Sequence, residues 1–207
     1  MVAAERNLRM PAEQRRRQLL DVAGEVFAER GFHATSMDDV ATAAGVTKPV
    51  LYQHFRNKRA LFLELLDDVG DQLLAQLAAA IEPGVGGRGR VEAGFNAYFR
   101  FVRDSPSSFR LLFGASVRND PEFAERTERV LEEGAHLIAT TLTDLPVEAE
   151  HRLVLAHAIV GIAEATSRRS IAVDDHADHP DPEQLAQWLA ELAWFGLRGI
   201  RGDIPID

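Results

Sequence analysis

Lys48, Pro49, Tyr52, Gln53 and His54 fall within one seven-residue stretch, and together they form no set that makes or breaks covalent bonds. An ammonium, a phenol, an amide and an imidazole on one side of a short helix are hydrogen-bonding groups. That is the chemistry of reading base edges and gripping phosphates. Lys48 suits a guanine edge or a phosphate, Gln53 an adenine edge and Pro49 a thymine methyl, and one good bidentate contact gives roughly 1–3 kcal/mol of discrimination. Thr47 belongs to the same side. Thr35, Ser36, Tyr52, His54 and Lys58 lie near helix starts or on the outer face, where they would hold phosphates and fix the register. No nucleophile, base and orienting group occur together, so neither an enzyme nor a cofactor is expected.

These side chains need a frame of helices. Alanine and leucine dominate, β-branched runs are scarce and apolar residues return at helical spacing, which predicts an all-α chain. A first helix over 12–30 buries Leu19, Leu20, Ala23, Val26 and Phe27, and Gly31 stops it. Ser36 precedes Asp39 by three residues, a capping-box pattern with Thr35 as a competing cap, and opens a short second helix that ends at Gly45. Thr47 can cap a third helix carrying Pro49 in its first turn and running to about Phe55. Its apolar side is Val50, Leu51 and Phe55. Two short helices joined by Ala44, Gly45 and Val46 make a helix-turn-helix.

Asn57 caps a longer fourth helix that continues to about Ile81. Residues 82–90, EPGVGGRGR, read as a loop; their glycine spacing resembles a dinucleotide fingerprint, but a helix precedes it where that motif needs a strand. Further helices are expected at about 91–104, 106–115, 121–144, 147–170 and 182–200. The domains are expected to be residues 1–57, with a basic arm and the helix-turn-helix, and residues 58–207.

Charge supports the division. The chain carries a net charge of −9, but residues 1–60 hold +3 and residues 61–207 hold −12. A basic head on an acidic body meets a polyanion with the head alone. Arg6, Arg9, Arg15, Arg16 and Arg17 suggest a flexible arm reaching DNA backbone or minor groove, or else a solvated terminus. The chain has no cysteine, which excludes disulfides and thiolate chemistry. The N-terminal stretch is charged where a secretion signal is apolar, and no stretch approaches the roughly 18 apolar residues of a membrane span. A cytoplasmic protein with no membrane partner is the expectation.

Residues 15–66 closely resemble the DNA-binding domain of the TetR family of bacterial regulators. The resemblance rests on Phe27 and Gly31, Thr35-Ser36-Met37, Ala44-Gly45-Val46, and Leu51-Tyr52 with His54-Phe55 and Lys58. It implies a homodimer of about nine helices per subunit, with a C-terminal domain for effector binding and dimerisation. In that family effector binding usually moves helix four and releases the operator. The family's DNA contacts fall on Thr35, Ser36, Thr47, Lys48, Pro49, Tyr52, His54 and Lys58.

In the C-terminal part, Phe95, Tyr98, Phe99, Phe109 and Phe113 are candidates to line an apolar effector pocket. Phe101, Leu112, Leu137 and Ile138 are further ones, and plain core packing is the alternative for all. Thr141, His157 and Glu164 are polar candidates for the same ligand, with Arg168 an alternative partner for Glu164. Two stripes, Leu153, Ala156, Val160 and Ala163, and Trp188, Leu189, Leu192 and Phe195, suggest a dimer surface or intrachain core. Asp175, His176 and His179 have metal-ligand types, but an exposed acidic loop is the expectation and no metal site is assigned.

The function expected is a sequence-specific DNA-binding regulator, a repressor released from a palindromic double-stranded operator by a largely apolar effector. An effector-independent repressor or activator is the alternative, and a helical small-molecule-binding protein or enzyme the remote one.

Overall fold

A computed structural model of the chain describes residues 11–81, 86–172 and 181–198, and among these every regular element is a helix. The chain divides into two compact units, Met1–Leu65 and Leu66–Asp207, with the division inside a helix.

In the first unit, α1 (Ala12–Ala34) is broken at Gly31, where φ is 77°. A side chain is strained there, so glycine ends the long helix before a last turn resumes. The capping box forms on α2 (Met37–Ala43): the Asp39 amide donates to Ser36 Oγ at 3.1 Å and the Ser36 amide donates to Asp39 Oδ2 at 2.8 Å. Ser36 is therefore the cap, and Thr35 is not. Gly45 at φ 64° turns the chain into α3 (Lys48–His54). The α3 start has no side-chain cap; the Thr47 carbonyl, not its hydroxyl, takes the first amide bonds. Asn57 does cap α4 (Lys58–Ala80), its Oδ1 accepting from the Ala60 amide at 2.8 Å.

Burial follows the expected faces. Leu19, Ala23, Val40, Leu51 and Leu61 are fully buried, and Phe27, Phe55 and Phe62 nearly so. The Phe62 ring meets Phe27 edge-on and Phe32 at a tilt, both with centroids 5.0 Å apart.

In the second unit the nine expected helices are completed, with shifted ends. They are α5 (Gly87–Asp104), α6 (Pro106–Phe113), α8 (Pro121–Ala139), α9 (Ala149–Ala172) and α10 (Pro182–Arg198), and α7 (Ala115–Arg118) adds a single turn. The loop expected over 82–90 is shorter: Gly87 to Arg90 are helical, and residues 82–85 lie outside the described residues. The eighth helix stops at Ala139 and tightens into a 3-10 turn, Thr140–Leu142. Asp120 caps α8 through the Glu122 and Phe123 amides, and the buried Thr127 hydroxyl donates to the Leu112 carbonyl at 2.9 Å. A Cβ on Gly70 would collide with Val130 Cγ2, so α4 and α8 cross in contact there. Asp67 and Asp71 pair with Arg126 and Arg129 beside the crossing at 3.0 to 3.4 Å. Among the described residues no helix is long and apolar enough to cross a membrane.

Candidate functional site

α3 is anchored by Leu51 and Phe55, four residues apart and therefore stacked on one side. Arg16 reinforces the anchor, lying over the Phe55 ring at 4.5 Å and donating to the His54 carbonyl and to Glu64. The opposite side leaves Thr47, Lys48, Pro49, Tyr52 and Gln53 exposed, with His54 half-buried at the helix end. Lys48 holds Asp38 at 3.0 Å, and that carboxylate raises the lysine pKa. A phosphate or base contact therefore exchanges one acceptor for another. Ser36 is exposed at the start of α2, and its hydroxyl and amide hold the Asp39 carboxyl below its usual range.

Two residues expected at the DNA surface are turned inward. Thr35 is only 2% exposed and its hydroxyl donates to the Gly31 carbonyl at 2.9 Å. Lys58 donates to the Phe32 and Thr35 carbonyls, both at 2.8 Å, with its ammonium 4.5 Å from the Phe32 ring centroid. Broken at Gly31, α1 leaves carbonyls without intrahelical donors, and Lys58 satisfies them. Arg15, Arg16 and Arg17 lie in α1 and do not form an arm; Arg15 bonds Gln18 and Arg17 pairs with Asp21. Arg6 and Arg9 lie outside the described residues.

The second unit holds a cavity of about 60 Å³. α4 contributes Leu73, Leu74 and Leu77, α5 contributes Arg90, Val91, Phe95 and Tyr98, and α8 and α9 close it with Val130, Ile138, Ile159, Val160 and Glu164. Phe113 and Thr141 complete the expected residues on its wall. Phe99 and Phe109 are buried but do not line it: Phe99 stacks on Phe95 and Phe109 meets Phe113 at a tilt, and both of those partners do line it. His157 is exposed, its Nε2 2.8 Å from Glu132 and its Nδ1 2.9 Å from the Leu153 carbonyl. Glu164 is paired with Arg168. Arg90, which sequence reasoning missed, donates to the Thr141 carbonyl at 3.0 Å and reaches Asp144 at 3.3 Å. Helical spacing from Arg90 through Gly94 to Tyr98 would have found it, had α5 been started at Gly87.

Tyr98 lines this cavity and is 8% exposed, and its hydroxyl is buried without a direct hydrogen-bond partner. Burial pushes its pKa up, with the Ser167 hydroxyl opposing and Glu164 adding to the rise, so the phenol stays protonated. An apolar cavity of about 150 Å³ admits benzene, and this one is less than half that size. Any larger ligand must therefore part the walls.

Residues 19–65 match the family model described as bacterial regulatory proteins of the tetR family, and residues 88–196 match the tetracyclin repressor-like C-terminal domain. The chain belongs to the TetR family. It is 32% identical over 197 residues to the HTH-type transcriptional activator FasR of Mycolicibacterium smegmatis, covering 94% of this chain and 88% of that one. It is 28% identical over 199 residues to the HTH-type transcriptional repressor KstR2 of Rhodococcus jostii, covering 93% and 84%. A crystal structure of a TetR-like transcriptional regulator from Rhodococcus sp. RHA1 superposes with a TM-score of 0.76 at 29% identity, covering 93% of this chain and all of that one.

The protein is thus a DNA-binding transcriptional regulator and not an enzyme. TetR-family regulators bind DNA operators, dimerise and bind small-molecule effectors. On α10 of this member Trp188, Leu192 and Phe195 share one face and are 50, 60 and 65% exposed. The α9 stripe expected beside it turns inward: Ala156 and Ala163 are buried and Val160 lines the cavity. Small residues pack equally well within a chain or between chains, so their spacing alone did not separate the two. Among the described residues no cluster of three metal-binding side chains occurs; Asp175, His176 and His179 lie outside them.

Proposed function

We propose that the protein is a homodimer whose paired α3 helices read a palindromic operator and whose cavity takes a largely apolar effector that weakens DNA binding. The observation that carries the reading is the split character of α3, with Leu51 and Phe55 fully packed and Lys48, Pro49, Tyr52 and Gln53 exposed; Lys48, once it leaves Asp38, Pro49 and Gln53 would meet base edges and Tyr52 a phosphate. Ser36, Thr47 and His54 would grip phosphates beside them. Thr35 and Lys58 would act as positioning residues, fixing the turn that presents Ser36.

Dimerisation would cover the Trp188, Leu192 and Phe195 face, an apolar patch of the kind that marks interaction sites. It would place half-sites about 34–36 Å or a multiple apart. The effector would act by prising apart the cavity walls, one of which is α4, and it can weaken DNA binding only by as much as it favours the non-binding form. In this reading the protein is a cytoplasmic repressor. Its 32% identity to an activator favours a second reading, in which the same DNA contact recruits transcription; reporter output after deletion of the gene separates the two.

The test is selection of fragments from genomic DNA at moderate salt, with Tyr52→Ala beside the wild type. A palindrome enriched by the wild type and lost with Tyr52→Ala is expected. Equal recovery by both proteins, or none by the wild type, would contradict the reading.

A further inference from the structure

Most buried hydroxyls among the described residues are satisfied by a carbonyl. Thr35 donates to Gly31, Thr127 to Leu112 and Thr141 to Ile138, at 2.9, 2.9 and 2.7 Å. Tyr98 and Ser167 break the pattern. Ser167 on α9 is 1% exposed and Tyr98 on α5 is 8% exposed, and neither hydroxyl has a hydrogen-bond partner. They are neighbours: the Ser167 hydroxyl acts on the phenol as a hydrogen-bonding group and opposes the rise in its pKa, yet the two stand outside direct hydrogen-bond geometry, which leaves room for an oxygen to bridge them. An unsatisfied buried hydroxyl is costly. Two of them side by side, one on the wall of an apolar cavity, point to a polar atom that arrives with a ligand.

We propose that the cavity binds an elongated, largely apolar molecule carrying one neutral oxygen, a hydroxyl or a ketone, held between the Tyr98 and Ser167 hydroxyls. This rests on the effector-binding reading above and specifies its ligand. Elongation follows from the wall: Arg90 and Tyr98 both line the cavity and stand eight residues apart on α5, about 12 Å along a helix. Neutrality at the Tyr98 end follows from Glu164, which lines the cavity and acts on the Tyr98 phenol, so it would repel an acid placed there; Arg90, eight residues away on the same wall, would draw an acid to the other end. Arg168 already holds Glu164 but is not on the wall, so a ligand amine would have to displace an existing partner. The protonated phenol donates to a ketone, and either hydroxyl accepts from an alcohol.

The test uses the full chain, with decanol, decanone and decanoate as probes, titrated calorimetrically against wild type, Tyr98→Phe and Ser167→Ala. Decanol and decanone should bind the wild type, and decanoate, repelled by Glu164 and drawn to Arg90, should bind with an affinity that Tyr98→Phe leaves unchanged. Tyr98→Phe should lower decanone affinity about tenfold. The same variant without ligand should melt no lower than wild type, since it loses a hydroxyl that bonded nothing.

A Tyr98→Phe protein that melts clearly below wild type and keeps its decanone affinity would overturn the proposal, showing a structural or water-bridged hydroxyl pair. Decanoate affinity that falls with Tyr98→Phe as far as decanone affinity does would overturn it as well. If no probe binds any form, the apolar-effector reading falls with it; if the probes bind wild type and variants alike, only the neutral-oxygen site falls.

Discussion

On α3, Lys48, Tyr52 and Gln53 stand in solvent on a helix held by the buried Leu51 and Phe55, whereas Tyr98 and Ser167 are buried with nothing to bond. In the first region polar groups await a partner at little cost, because water serves them until DNA arrives. In the second, buried hydroxyls without a partner are costly to the ligand-free protein, and the ligand proposed above would remove that penalty. A reader can therefore be rigid and stable before it binds, while a sensor of this kind holds part of its response as unsatisfied chemistry.

The contrast can be broken most severely at the anchor of α3. Phe55→Ala empties a side chain that is 2% exposed, and should cost about 3–5 kcal/mol in chemical denaturation, as large-to-small core changes do. DNA binding would be lost with the fold of the first unit. A loss of DNA binding with unchanged stability would mean that Phe55 touches DNA and the two sides of α3 are wrongly assigned.

Gly70→Ala comes next. The added methyl meets the stiff Val130 side chain, so overpacking should cost about 1–3 kcal/mol, read in the same denaturation experiment. Gly70→Ala with Val130→Ala should recover most of it. Failure of that pair to recover would show that α4 and α8 do not meet there.

Ser36→Ala removes the cap of α2 and should cost about 1 kcal/mol, while leaving ligand binding in the cavity unchanged. The smallest effect concerns His157. The Leu153 carbonyl and then Glu132 raise its pKa above the usual 6.5, and Glu132 also faces His136 at 3.2 Å. A raised folded pKa means that the stabilisation is complete below the unfolded value and fades as pH rises through the folded one. The gap in melting temperature between wild type and His157→Gln should therefore narrow from about pH 6 to pH 8. A gap that widens would place the charge on the wrong side of the pair.

The first unit was legible because local rules fix it. Ser36 with Asp39, Gly45 at positive φ, Asn57, and Leu51 with Phe55 each act within a few residues. Thr35 and Lys58 escaped because their partners are carbonyls of a helix end, which no residue type announces. In the second unit, the aromatic spacing placed Phe95, Tyr98 and Phe113 on the cavity wall, but could not separate them from Phe99 and Phe109, which pack as core. His157 and Glu164 stand seven residues apart, a spacing that puts both on one side of α9, yet His157 is exposed and bonds Glu132 on α8 at the surface. Which face of a helix meets which neighbour is a tertiary fact, and the small-residue stripe of α9 shows how little the spacing alone says about it.

If the exposed side of α3 reads sequence, it shows in the affinity of wild type and Gln53→Ala for the selected fragment and for a scrambled one at the same salt. The wild type should prefer its fragment by about a thousandfold or more. Gln53→Ala should lose roughly 5- to 100-fold of that preference while binding scrambled DNA and melting as the wild type does. An unchanged preference in Gln53→Ala, with the same fold and the same salt dependence, would contradict the account.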